Sequence, residues 1–251
     1  MTDADVSVGE RPALKRTEKP AGFLAPRSLP LVYVNMPKSA CTTIKNILNW
    51  MDSGEYLEDP LTIHGRKDLL LRGAQEPDEM LRRLSSDLVF TFVRHPLKRA
   101  YSCFNEKVHF VSGYSFPLVR KEIQTRYNGR FTDNPTFELH RENFKAFLKF
   151  SLDSFQGTNG WRRDAHWCPQ SMVLRNALRW RMIDFIGRVE CFDAHFRGVM
   201  QLAGVAYEIE LPRMNEGPAA PFRYEEVLDD EIRDIGGRLF AADLRNFGYS
   251  L

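Results

Sequence analysis

The 251-residue chain has only four cysteines, Cys41, Cys103, Cys168 and Cys191, far apart and without a CxxC pair. That excludes a disulfide framework and the usual zinc spacing, and it suits free thiols in a reducing compartment. No apolar run approaches the roughly 20 residues of a membrane span. The opening MTDADVSVGERPALKRTEKP mixes both charge signs without an apolar segment, so it does not read as a secretory signal. The expected location is the cytoplasm, and no metal is expected. The formal net charge is only +2, too small to argue for general nucleic-acid binding. Any anion site must therefore come from local placement of basic residues. Also missing is the Gly-x-x-x-x-Gly-Lys-Ser/Thr spacing of an ATP or GTP loop.

What is present reads as a globular α/β protein. The composition is 43% hydrophobic and 12% aromatic, and the length suits one large domain or at most two small ones. Residues 1–28 are polar, carry Pro12, Pro20 and Pro26, and show no period, which predicts a disordered tail before a folded domain at 29–251. LVYVNM at 31–36 is a short continuous apolar run, as in a strand covered on both faces. Ile44, Ile47, Leu48 and Met51 then follow helical spacing and predict a helix ending before Gly54.

A second buried strand is predicted at DLVFTFV, 87–93, leading to a helix that Pro96 opens and that Leu97, Ala100, Tyr101, Phe104 and Val108 line. A third is predicted within MIDFIGRVE, 182–190, followed by a helix carrying Phe192, Phe196, Val199 and Met200. This alternation predicts a central parallel sheet flanked by helices, with right-handed crossovers. Between these pieces the chain is mostly helix and loop. Phe144, Phe147, Leu148 and Leu152 form a packing face there, and this insertion is where acceptor specificity is expected.

The chemistry starts at PKSACTT, residues 37–43. A strand ending at Met36 and a helix beginning near Thr42 leave the first helical N–H groups pointing into the loop. With the helix dipole they make a site for phosphate or sulfate, and Lys38, Thr42 and Thr43 add a full charge and two hydroxyls. A helix capped by either threonine beside a solvated lysine fits these residues equally well. The second strand favours the anion site. Arg94 lies at its carboxyl end, where ligands of open α/β sheets gather, and Ser102 follows one turn beyond Lys98. A guanidinium and a hydroxyl converging in this way can grip one phosphate from two sides. A nucleotide with phosphates at both ends would bridge the two sites.

PKSACTT and FTFVRHPLKRAYSCFNEK together resemble the two cofactor motifs of sulfotransferases that use 3′-phosphoadenosine 5′-phosphosulfate (PAPS). DAHWCPQ, DFIGRVECFD, LPRMN and DLRNFGY resemble segments of the carbohydrate branch, which includes Golgi enzymes acting on chondroitin. The likeness runs in order over residues 31–251 and implies the P-loop-NTPase-like sulfotransferase fold. It further implies that Pro37, Lys38, Ser39, Ala40, Cys41, Thr42 and Thr43 surround the 5′-phosphosulfate, and that Arg94 and Ser102 hold the 3′-phosphate. One departure is His95, where the family usually has an acidic residue; another is the lack of a membrane anchor, which suggests a soluble, bacterial-type relative.

The resemblance implies sulfuryl transfer to a carbohydrate hydroxyl, with Lys38 neutralising charge on the bridging oxygen. An alcohol nucleophile also wants a base. His64, expected at the end of a strand within YLEDPLTI, is the first candidate, His166 the second and His109 a third. Glu190 is a candidate for orienting a basic residue or the acceptor. Arg162, Arg163, Arg175, Arg179, Arg181 and Arg188 outnumber Asp164 and Asp184 over 161–188, and Trp161, Trp167 and Trp180 interleave with them. That stretch suits either a solvated face or a basic groove for an anionic saccharide. The competing functions are a nucleotide-dependent kinase of related topology and a catalytically silent nucleotide-binding module.

Overall fold

A computed structural model describes residues 20–110, 115–175, 182–206 and 220–251. The chain packs as two compact units. The first draws its described residues from 20–35, 40–92, 174–175 and 182–206; the second draws them from 36–39, 93–110, 115–173 and 220–251.

The first unit is built on a five-stranded sheet of order β3-β1-β2-β4-β5. Its strands are β1 (Phe23–Ala25), β2 (Leu31–Val34), β3 (Leu71–Arg72), β4 (Leu88–Val93) and β5 (Phe185–Arg188). The sheet is mixed. Its centre is parallel as expected, with Leu31, Val32 and Tyr33 of β2 facing Leu88, Val89 and Phe90 of β4. Its edge is antiparallel, β1 pairing with both β2 and β3. The reason is connection length: the few residues from Pro26 to Pro30 can only reverse the chain, since a parallel crossover needs a dozen or more. β1 also lies inside the stretch that composition assigns to the tail. Residues 1–19 of that tail lie outside the described residues, as do LPRMN, Arg179, Trp180 and Arg181.

Helix α1 (Cys41–Ser53) follows the periodic residues, and Gly54 ends it in the left-handed conformation with φ 76°. Ile44, Ile47 and Leu48 are buried with Leu31, Tyr33, Phe90 and Phe92 in one apolar cluster. Phe196, Val199 and Met200 of the helix Phe192–Leu202 join it. Burial of each such side chain contributes about 1.5–3 kcal/mol. YLEDPLTI departs from expectation: Pro60–His64 is a single 3-10 turn, opened by Asp59 Oδ1 accepting from the Leu61 N–H at 2.9 Å. Pro60 has no N–H to give to a sheet, and Asp59 offers a turn instead.

The second unit is helical. Helix α2 (Pro96–Cys103) runs straight into a π-helical turn, Phe104–His109. A long helix, Phe137–Gln156, lays Phe144, Phe147, Leu148 and Phe150 into a core shared with Leu97, Phe104, Ile235 and Phe240. The apolar stripe in this insertion is therefore core packing. His109 belongs to the same interior, 4% exposed, its ring 4.8 Å from that of His140. It lies at the end of the π-helical turn that follows Ser102's helix, packed against this core.

Candidate active site

The loop after β2 carries two non-glycine residues in left-handed backbone, Lys38 at φ 64° and Ala40 at φ 58°. Each costs on the order of 1 kcal/mol or more, so the surroundings must hold them. Ala40 is the N-cap of α1, and no side chain caps the helix there; its first turn also holds no acidic residue. Thr42 and Thr43 thus lie inside the first turn, and the capping alternative for them does not apply. The first turn therefore brings no carboxylate of its own to the helix's positive end.

Buried Arg99 holds this loop. It is 0% exposed, donates Nε to the Pro37 carbonyl and Nη1 to the Cys168 carbonyl, both at 2.9 Å, and donates Nη2 to the Ala165 carbonyl. Lys38 is paired with Glu106 of the π-helical turn, and Lys107 approaches the other oxygen of Glu106 at 2.8 Å. Burial pushes the Glu106 carboxyl up, but the two lysines more than offset this, and the net displacement is downward.

Gln170 ties the loop to the end of β4. Its Oε1 accepts from Ser39 Oγ at 3.1 Å and from the Arg94 N–H at 2.9 Å, while its Nε2 donates to the Arg94 carbonyl at 2.8 Å. Ser39 and Gln170 are both fully buried. The backbone of Arg94 is thus fixed next to the strand end. Half-buried Ser102 lies on α2, and Lys98, one turn earlier, pairs with Glu225 at 3.1 Å.

His64 closes the 3-10 turn. Its Nε2 lies 2.8 Å from Thr42 Oγ1 and its Nδ1 lies 3.2 Å from Lys45 Nζ. The lysine nitrogen donates to Nδ1, so the ring proton sits on Nε2 and is directed at Thr42. Lys45 is 4% exposed, and burial holds its ammonium below the usual lysine range.

His166 is arranged differently. Asp164 Oδ1 accepts from its backbone N–H at 2.8 Å and from its ring Nδ1 at 2.7 Å. Asp164 also lines an open cleft of about 580 Å³ with Glu122, Arg126, Trp161, Arg162 and Trp167. Trp167 is core, its Nε1 donating to Ser154 Oγ at 3.2 Å, whereas Trp161 is half-buried at the cleft and Arg162 is exposed. Glu190 is exposed in the 3-10 turn Val189–Cys191.

Sequence reasoning named Lys38, Thr42, Arg94 and Ser102 as candidates and did not name Arg99, Glu106 or Gln170, whose bonds hold the loop. Glu106 was within reach, one helical turn past Ser102. Arg99 and Gln170 act on partners 62 and 131 residues away, which no local pattern reports. Among the described residues no group of three or more His, Cys, Asp and Glu side chains could hold a metal.

With this geometry in place, comparison with known proteins becomes specific. The chain is 25% identical over 209 residues to human (Homo sapiens) carbohydrate sulfotransferase 9, covering 82% of this chain and 46% of that protein. It is 25% identical over 221 residues to human carbohydrate sulfotransferase 14, covering 86% and 55%. Mouse (Mus musculus) carbohydrate sulfotransferase 11 is 25% identical over 196 residues, covering 72% and 53%. The chain thus spans about half the length of the curated relatives it matches. No solved structure matches it. The profile of the sulfotransferase family matches residues 22–250, nearly the whole sequence, and the chain belongs to that family.

Proposed function

We propose that this chain moves a sulfuryl group from PAPS to a hydroxyl of a carbohydrate acceptor. The observation that carries the reading is the start of α1: a helix with no side-chain cap and no first-turn carboxylate, reached through a lysine held in left-handed backbone. Such an end favours an oxyanion, and Lys38 adds the charge that a leaving bridging oxygen needs. In this reading Pro37 to Thr43 surround the 5′-phosphosulfate, and Arg94 with Ser102 takes the 3′-phosphate. His64 belongs to the same site through its bond to Thr42 Oγ1. Thr42 is thereby oriented toward the donor, and sulfuryl transfer, like phosphoryl transfer, depends chiefly on such positioning.

The acceptor is assigned by two supports. The relatives named above are carbohydrate sulfotransferases, and the cleft at Trp161 offers an aromatic face beside Arg126 and Arg162, a surface suited to a sugar ring bearing an acidic group. The cytoplasm stays the proposed location, on the support of four free cysteines, two of them buried with thiols pushed up to about 12 (Cys103) and about 11 (Cys168). Among the described residues no helix is long and apolar enough to cross a membrane.

The test is thermal unfolding with adenosine 3′,5′-bisphosphate or with ATP and Mg²⁺. A ligand at about 100 times its dissociation constant adds roughly 2.7 kcal/mol, which a melting shift reports. The bisphosphate is expected to stabilise the protein. Stabilisation by ATP and Mg²⁺ alone would favour a kinase and overturn the reading.

A further inference from the structure

Two histidines stand near the proposed chemistry, and their surroundings differ. Both ring nitrogens of His64 are engaged by Thr42 and Lys45. The His166 side chain is 32% exposed, and its Nδ1–H bonds to Asp164 Oδ1 at 2.7 Å, which fixes the tautomer and puts the lone pair of the neutral ring on Nε2. Burial works to raise the Asp164 carboxyl, but the bonds from His166 and the nearby Arg99 charge offset it, and the net displacement is downward. The carboxylate therefore stays ionised beside the ring.

Two separate links bring His166 to Lys38. Arg99, 0% exposed, grips the Pro37 carbonyl with Nε and the Ala165 carbonyl with Nη2. The residues preceding Lys38 and His166 are thus held within the span of one rigid guanidinium. The second link runs through the π-helical turn. Lys38 pairs with Glu106, Lys107 approaches Glu106 at 2.8 Å and lies 5.9 Å over the Phe116 ring, and that ring meets His166 at 5.2 Å. Asp164, which orients His166, also lines the Trp161 cleft. The histidine therefore stands on one segment with the surface proposed for the acceptor and beside the loop proposed for the donor.

We propose that His166, oriented by Asp164, takes the proton from the acceptor hydroxyl. This rests on the transferase reading above. The hydroxyl oxygen forms a bond to the sulfur of PAPS while the bond from that sulfur to the bridging 5′-phosphate oxygen breaks. The electron pair of the broken bond stays on the bisphosphate, where Lys38 meets the charge. The hydroxyl proton passes to His166 Nε2, giving an imidazolium that Asp164 stabilises until the proton leaves to water. Asp164 is a positioning residue and His166 a catalytic one.

The experiment follows release of adenosine 3′,5′-bisphosphate from PAPS by the full chain, with water alone and with an unsulfated chondroitin oligosaccharide as acceptor. His166→Ala is expected to lose about 100-fold or more in kcat, the scale of a general base, while bisphosphate affinity is unchanged. Added imidazole is expected to restore a measurable part of that loss, and Asp164→Asn to lower kcat without moving donor KM. Undiminished turnover in His166→Ala, or a loss that imidazole leaves untouched, overturns the assignment. If His166→Ala no longer binds bisphosphate, His166→Gln is measured instead, and failure of both to bind assigns His166 to the fold and overturns the proposal. A wild-type chain that neither binds bisphosphate nor releases it from PAPS brings down the transferase reading, a distinguishable result that takes this inference with it.

Discussion

The carboxylate of Asp243, fully buried, accepts the Gln170 N–H at 2.7 Å and the Ser171 N–H and Oγ at 2.7 and 2.6 Å. That bond set fixes where the Gln170 side chain points, and Gln170 in turn holds Ser39 and the Arg94 backbone. Gln170→Leu removes these hydrogen bonds, at about 1–3 kcal/mol for a buried polar group left unsatisfied, as at Ser39. Urea unfolding is expected to show that destabilisation, and the variant is expected to bind adenosine 3′,5′-bisphosphate more weakly. Wild-type stability would show that the hub does not hold the loop.

Arg94→Ala tests the second phosphate grip. Because the Arg94 main chain is fixed by Gln170, removing its guanidinium changes charge with little effect on the backbone. Affinity for adenosine 3′,5′-bisphosphate is expected to fall far more than affinity for adenosine 5′-phosphate. Equal weakening of both, measured by titration calorimetry, would remove Arg94 from the 3′-phosphate.

The Glu106 carboxyl, held below its ordinary range by Lys38 and Lys107 against the opposing effect of burial, predicts a pH effect. A depressed carboxylate contributes stability above the unfolded value, and the contribution fades as pH falls through the folded one. Wild-type stability is expected to drop at acid pH below the ordinary glutamate range, and Glu106→Gln is expected to flatten that drop. The same substitution frees Lys38, so bisphosphate affinity is expected to rise.

His140 predicts a second, higher window. Its Nε2 lies 3.0 Å from the Tyr101 hydroxyl, which donates to the Phe222 carbonyl at 2.7 Å, so Nε2 carries the proton. Its buried Nδ1 has no partner among the described residues. Burial, reinforced by His109, lowers this histidine from 6.5 to about 4. The unfolded chain binds a proton there first, so stability is expected to fall between about pH 6.5 and 4 and level off below. At roughly 1.4 kcal/mol per pH unit the loss amounts to a few kcal/mol. His140→Phe is expected to remove this step in pH-dependent unfolding.

Much of the scaffold was legible because local pattern and final packing agree. Tyr33 and Phe90, read as buried strand residues, face each other across β2 and β4. Ile44, Ile47 and Leu48 cover that sheet as their spacing required. β1 was not legible: three residues between prolines carry no usable period, and only pairing with β2 and β3 makes them a strand. The strand expected before His64 failed because Asp59 and Pro60 favour a turn. Lys38 and Arg94 could be named as candidates from loop and strand-end position. Arg99 could not, since a buried arginine bonded to three distant carbonyls resembles any charged residue on a helix.

The uncapped opening of α1 has a practical corollary for anyone handling the protein. A helix end whose N–H groups serve any small oxyanion does not distinguish a nucleotide's tail from buffer salt. If the donor sits there as proposed, phosphate and sulfate in a purification medium are expected to compete with it, and donor affinities measured in such media are expected to be lower than those taken in chloride.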